Sequence, residues 1–228
     1  MTEYKTAIID IGSNTVRLVI YHYEQLRGLK EIENVKAVAR LRSFIDDTGI
    51  LVEEGIERLE GILHSFNEIL EDYNVEHVRA IATASIRQAQ NGAAILARMK
   101  EVVGVDIELL SERQEAFYGY FAVVYTTSTP SGVTIDMGGG STELTYFDEK
   151  ELMQSISLPF GSVSLKQQFV AGEVLTADER QSVYDFAIAQ FSTIPWLKDL
   201  NLPVIGIGGS ARNMATFDQH RNNYPLSG

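Results

Sequence analysis

The stretch TAIIDIGSNTVRLVIY at residues 6–21 aligns without gaps on GVTIDMGGGSTELTYF at residues 132–147, an offset of 126 residues. Ile9/Ile135, Asp10/Asp136, Gly12/Gly138 and Leu18/Leu144 are identical pairs. Each copy reads as an apolar, β-branched strand, a glycine turn with an acid on the strand end, and a second strand. One supersecondary unit repeated in this way predicts a duplicated chain of two similar halves with a cleft between them.

Working outward from the first copy, the pattern predicts strands at 4–11, 16–23 and 35–41. Ile56, Leu59, Leu63, Phe66, Ile69, Leu70 and Tyr73 recur at helical spacing, which predicts an amphipathic helix over 53–73. A strand at 77–83, a helix over 92–103 and a strand at 105–110 follow. Ser111 and Gln114 match a capping box that opens a helix from 112 to 125, with Phe117, Tyr118, Tyr120, Phe121 and Tyr125 packing it between the halves. The turn-forming run TTSTPSG (126–132) sets the expected boundary between a first lobe, 1–125, and a second, 126–228. Beyond it lie strands at 133–137, 142–147 and 151–158. A helix over 177–193 opens with the capping pair Thr176/Glu179, and a strand at 203–207 leads through Gly208-Gly209-Ser210 into a last helix.

The 228 residues are 45% hydrophobic and 22% charged, as expected of a soluble chain with one or two domains. No apolar run is long enough for a transmembrane helix, and the N-terminus lacks the features of a signal peptide. The absence of cysteine excludes disulfides and thiolate chemistry and leads us to expect a cytoplasmic protein. The net charge of −12 argues against nucleic acid or an anionic membrane as partner. His22, His64, His77 and His220 show no metal-ligand spacing. Walker A, Rossmann and nucleophile-elbow motifs are absent.

The chemistry therefore centres on the turns. In Asp-x-Gly-x-x, small residues let backbone N–H groups meet an anion, and the strand-end acid can hold a metal or orient water. A plain tight hairpin is the bland alternative for either copy alone. Position 17 is Arg, suited to bidentate phosphate contact, where its repeat partner, position 143, is Glu. Glu143 with Asp136 can hold a hard divalent cation, although both side chains could equally face solvent. Thr83, Ser85 and Arg87 follow a strand end near the first turn. Gly206 to Ser210 reads either as a third anion site at a helix start or as a glycine-rich connection.

Taken together, DIGSNTVRL (10–18), ATASIRQAQN (82–91), SERQEAFYGY (111–120), DMGGGSTEL (136–144), SLPFGSVSL (157–165) and GIGGSARNMA (206–215) resemble the exopolyphosphatase/guanosine pentaphosphate phosphohydrolase family. That family belongs to the actin-like, sugar kinase and Hsp70 ATPase superfamily. The resemblance implies an α/β fold of two ribonuclease H-like (actin-like ATPase) lobes, with mixed sheets flanked by helices and a cleft between the lobes. It implies that Glu115 is the catalytic base and that Asp136 and Glu143 bind Mg²⁺ or another divalent cation. Asp10, Gly12, Ser13, Asn14, Arg17 and Arg87 are then expected to line a phosphate channel. So are Gly138, Gly139, Gly140, Ser141 and Thr142, together with Gly208, Gly209 and Ser210. Glu112 reads as a helix-start acid, and Arg113 as a further phosphate contact. Family members commonly continue past the stretch matching Tyr224-Pro225-Leu226, so the second lobe is expected to lack its C-terminal part. The implied activity is release of terminal phosphate from inorganic polyphosphate. Hydrolysis of guanosine pentaphosphate, an ATP-dependent kinase or ATPase, and a non-catalytic alarmone or polyphosphate module stand as alternatives. Polyphosphate or guanosine penta- and tetraphosphate are the implied partners, and a homodimer the implied assembly.

Overall fold

The computed structural model describes residues 3–224; the stretch from Pro225 onward, on which the expected C-terminal shortening bears, lies outside the described residues. The chain divides into two compact units, Met1–Ser111 and Glu112–Gly228.

Unit 1 opens with β1 (Glu3–Ile11), β2 (Thr15–Glu24) and β3 (Gly28–Val38), a meander of antiparallel strands. Helix α1 (Glu53–Asp72) leads to β4 (His77–Ala82), which pairs parallel to β1. Two helices, α2 (Ala84–Gln88) and α3 (Gly92–Val103), precede β5 (Ile107–Leu109), and the sheet order is β3-β2-β1-β4-β5. The core joins Ile9, Ile11, Leu18 and Ile20 of the sheet to Leu59, Leu63 and Phe66 of α1 and to Ile95 and Met99 of α3. Both helices bury the stripe that their 3.6-residue periodicity lays on one face. The expected strand at 35–41 runs instead from Gly28 to Val38, because the polar run 30–36 pairs along β2 as a sheet edge. Residues 41–44 form a turn of 3₁₀ helix.

Unit 2 starts with α4 (Glu112–Thr126), followed by β6 (Gly132–Met137), β7 (Thr142–Asp148) and β8 (Glu151–Leu158). Helices α5 (Ser162–Phe169) and α6 (Ala177–Ser192), strand β9 (Val204–Ile207) and helix α7 (Gly208–Asn222) complete it. The sheet order is β8-β7-β6-β9, with β9 parallel to β6. The sequence assigns the helix from 112 to the first lobe, whereas the structure groups it with the second unit. Tyr120, Val123 and Val124 pack on Phe147 of β7, and Tyr120 Oη donates to the Lys150 carbonyl at 2.7 Å. Of its five aromatic residues only Tyr120 is buried. On the opposite face Val133, Leu144 and Leu158 meet Phe160, Leu165, Phe186 and Phe191. The Thr176/Glu179 capping box forms as expected: Glu179 N donates to Thr176 Oγ1 at 3.3 Å, and Thr176 N donates to Glu179 Oε2 at 2.8 Å.

The duplication extends into the hydrogen-bond registers. Asp10 faces Arg17 across β1/β2 and Ile81 across β1/β4; Asp136 faces Glu143 and Ile207 in the same way. Each of these pairs is displaced by the 126 residues of the repeat. The β2/β3 ladder shifts register between Ile20 and Tyr21, and the β7/β8 ladder shifts between their equivalents, Tyr146 and Phe147. Phe147 has no exposed surface and seats α4 on its sheet. Phe147→Ala is expected to destabilise unit 2 by about 3–5 kcal/mol, seen as a lower urea midpoint with an unchanged m-value.

Candidate active site

The site in unit 2 grows from the turn between β6 and β7. Gly138 N donates to the Ser141 carbonyl at 3.0 Å and closes the turn. The carbonyls of Gly138 and Gly139 point at the start of α5, where they accept from Ser162 N at 2.9 Å, Val163 N at 3.0 Å and Ser164 N at 3.1 Å. Ser162 Oγ adds a bond to the Gly138 carbonyl, and buried Thr142 donates from Oγ1 to the Phe160 carbonyl at 2.7 Å. A trans peptide holds its C=O and N–H on opposite sides. The N–H groups of Gly139 and Gly140 are therefore turned away from α5, in the sense an anion-binding nest requires. Gly161 makes this close approach feasible, since a Cβ there would lie 2.8 Å from Gly140 N and 2.7 Å from the Gly139 carbonyl carbon. This bracing by SLPFGSVSL is a feature that sequence reasoning missed; the glycine before two serines is its only signal.

Asp136 and Glu143 are directly opposed in the β6/β7 ladder, so both side chains leave the same face of the sheet. It is the face on which α4 lies, because Ile207, the partner of Asp136 across β6/β9, belongs to the α4 cluster. Lower on that face, the hydroxyls of Thr134 and Thr145 share a hydrogen bond. Glu143 is buried and accepts from Ser157 Oγ at 2.8 Å. Burial pushes the Asp136 carboxyl above its ordinary value, and the positive charge of Arg212 on α7 partly opposes that rise. Arg212 is a second site residue missed from sequence. It lies inside GIGGSARNMA, where nothing in the pattern marks its direction.

Gly208 packs against the Asp136 carboxylate with φ +79°, in the region that favours glycine. Ser210 Oγ donates to the Met137 carbonyl at 3.1 Å and ties the start of α7 to the end of β6. Gly208 thus lies against Asp136 and Ser210 is tied to the end of β6, with Gly209 between them at the helix start. Glu115 is half-buried on α4, four residues before Gly119, which packs on Ile207. The helix continues from Gly119 past Phe147 towards the 148–150 turn. Glu115 therefore lies one turn nearer the end of the sheet that carries Asp136, Glu143 and the glycine turn. Glu112 and Arg113 are exposed at the helix start.

Unit 1 builds the matching turn with different chemistry. Gly12 N donates to the Thr15 carbonyl at 3.1 Å, the equivalent of the Gly138–Ser141 bond. The Ser13 carbonyl accepts from Arg42 N, and the Asn14 carbonyl from Ala39 N and Arg40 N. Ser13 is buried and Asn14 exposed. Arg17, opposite Asp10, donates from Nε to Asn34 Oδ1 at 2.8 Å. Arg87 Nη1 donates to the Leu110 carbonyl at 2.8 Å. Residues 82–87 occupy the place in unit 1 that 208–213 hold in unit 2, since β4 and β9 share a register. No identical pair links those two segments, so sequence reasoning did not connect them. Among the described residues no group of three or more His, Asp or Glu forms a metal cage, and no helix is long and apolar enough to cross a membrane.

Two mixed sheets of duplicated register, flanked by helices and each ending in a braced glycine turn, define an α/β chain of the actin-like ATPase fold. A crystal structure of the Aquifex aeolicus member of the Ppx/GppA protein family superimposes with a TM-score of 0.76 at 30% identity, over 99% of this chain and 72% of that one. An exopolyphosphatase from Cytophaga hutchinsonii gives a TM-score of 0.86 at 23% identity, over 98% and 72%, and supports the fold. The model of the Ppx/GppA phosphatase family matches residues 19–227, and the chain belongs to that family. It is 30% identical over 189 residues to a guanosine-5'-triphosphate,3'-diphosphate pyrophosphatase of Pseudoalteromonas atlantica, covering 82% of this chain. The chain spans 37% of the length of that curated relative.

Two outcomes test this geometry. Gly208→Ala forces a side chain into the left-handed region and against Asp136; it is expected to cost about 1–2 kcal/mol. Gly209→Ala meets nothing within 4 Å and is expected to be neutral or slightly stabilising in thermal melts. Because Asp136 binds its proton more tightly when folded, its contribution to stability falls as pH rises from about 4. Melts in chelator should show Asp136→Asn gaining on the parent as pH rises through the carboxylate range, with the gap narrowing at low pH.

Proposed function

We propose that this chain hydrolyses phosphoanhydrides, releasing the terminal phosphate of inorganic polyphosphate by attack of water. The observation that carries the reading is the opposed pair Asp136/Glu143 beside a braced glycine turn, on the sheet face that α4 and Glu115 cover. Glu115 accepts the proton of the attacking water as it approaches phosphorus. Outward-turned amides of the 138–142 turn and the start of α7 hold phosphate oxygens by short-range dipoles. Arg17 and Arg87, with the first turn, supply a further phosphate-binding element.

The donor set fits Mg²⁺. Two adjacent carboxylates, one with its proton affinity raised by burial, offer hard oxygen ligands without a closed cage. When bound there, the metal supplies neutralisation of the charge that builds on the transferred group.

A second reading is favoured by one observation. The relative at 30% identity is named for guanosine-5'-triphosphate,3'-diphosphate, and on this reading the same groups act on the pentaphosphate of a nucleotide. Phosphate release from polyphosphate and from guanosine pentaphosphate, each with and without Mg²⁺, decides between them. Glu115→Gln is expected to lower kcat by about 10²–10⁴-fold, and near-parental turnover would refute the assignment. Asp136→Asn should shift the Mg²⁺ titration to higher concentration.

A further inference from the structure

We propose that Arg40 is a phosphate-contacting residue of the first glycine turn, a position outside the motifs of the sequence. The inference rests on the phosphoanhydride reading above and extends it within unit 1. Arg40 has φ 54° and ψ 39°, left-handed backbone that residues with a Cβ seldom adopt. Glycine would take this conformation without strain. The surrounding hydrogen bonds enforce it. Ala39 N and Arg40 N both donate to the Asn14 carbonyl at 2.9 Å, and Arg42 N donates to the Ser13 carbonyl at 3.1 Å. Arg40 is thus seated on the turn, with its Cα next to an atom bonded to Asn14.

The other arginines of this region have specific protein partners. Arg17 holds Asn34, Arg42 Nη1 donates to Gln88 Oε1 at 3.1 Å, and Arg87 holds the Leu110 carbonyl. Arg40 is exposed, and its side chain makes no hydrogen bond or ion pair among the described residues. A merely solvated arginine needs no left-handed backbone, whereas an anchored and uncommitted one fits a ligand-binding role. In a chain of net charge −12, a polyanion must be met by local cations. A guanidinium held at the turn, with five donors in a planar fork, can engage two oxygens of a phosphate chain.

The test is calorimetric titration of the whole chain with tripolyphosphate in chelator, which suppresses turnover. Arg40→Gly keeps the left-handed backbone and removes only the side chain. It is expected to melt no lower than the parent and to bind tripolyphosphate about ten-fold more weakly. Arg40→Asn, which also tolerates this conformation, repeats the measurement should glycine loosen the segment. In steady-state assays with Mg²⁺, KM for polyphosphate should rise with kcat nearly unchanged. A folded Arg40→Gly or Arg40→Asn protein with parental affinity and KM overturns the role of Arg40 and leaves the phosphoanhydride reading standing. A parent that neither binds nor hydrolyses tripolyphosphate, polyphosphate or guanosine pentaphosphate overturns both.

Discussion

The bond from a glycine N–H to the carbonyl three residues on closes each turn, Gly12 to Thr15 and Gly138 to Ser141. Its own net contribution is only about 1 kcal/mol. Its structural effect is larger, because it fixes how each pair of strands is paired. A slip of one residue would send every side chain of a strand to the other face. With the register held, Asp10 opposes Arg17, Asp136 opposes Glu143, and apolar neighbours such as Ile9 and Leu144 enter their cores. The parallel strands β4 and β9 and the two ladder shifts then fall at equivalent places.

Each turn is also braced from behind, by backbone donors of different origin. In unit 2 the start of α5 takes up the carbonyls of Gly138 and Gly139. In unit 1 the segment 39–42 does the same for Ser13 and Asn14. Engaging the carbonyls on one side turns the following amides to the other. An acidic protein can in this way present positive potential to an anion without a basic surface. The potential is local, comes from fixed dipoles, and requires no side chain to be reorganised.

Much of this was legible in the sequence. The strand–turn–strand repeat stood out because its glycines and strand-end acids were kept, and α1 stood out because its apolar residues recur at helical spacing. The allegiance of α4 was not legible, since a helix with aromatics all around it names no single face. The brace by α5 was hidden in a short segment whose role is carried by backbone atoms. The equivalence of 82–87 and 208–213 survives in strand register but in no identical residue, so only coordinates reveal it. Arg212 and Arg40 owe their importance to direction and backbone conformation, neither of which composition encodes. Among the candidate residues, the acids and the glycines of unit 2 were both foreseen and brought together.

The divergence between the copies is what gives the duplication chemical meaning. The same register position carries arginine in one unit and glutamate in the other. Beside Asp10 the arginine supplies an opposite charge, and the segment that braces the first turn carries Arg40 and Arg42. Beside Asp136 the register places a glutamate, and burial raises the cost of ionising Asp136. A cation held there, as proposed above, would offset that cost. A scaffold that keeps one register while reversing one charge thereby separates two tasks. On the function proposed above, the cationic turn would grip phosphate, and the acidic one would hold the charge that hydrolysis requires.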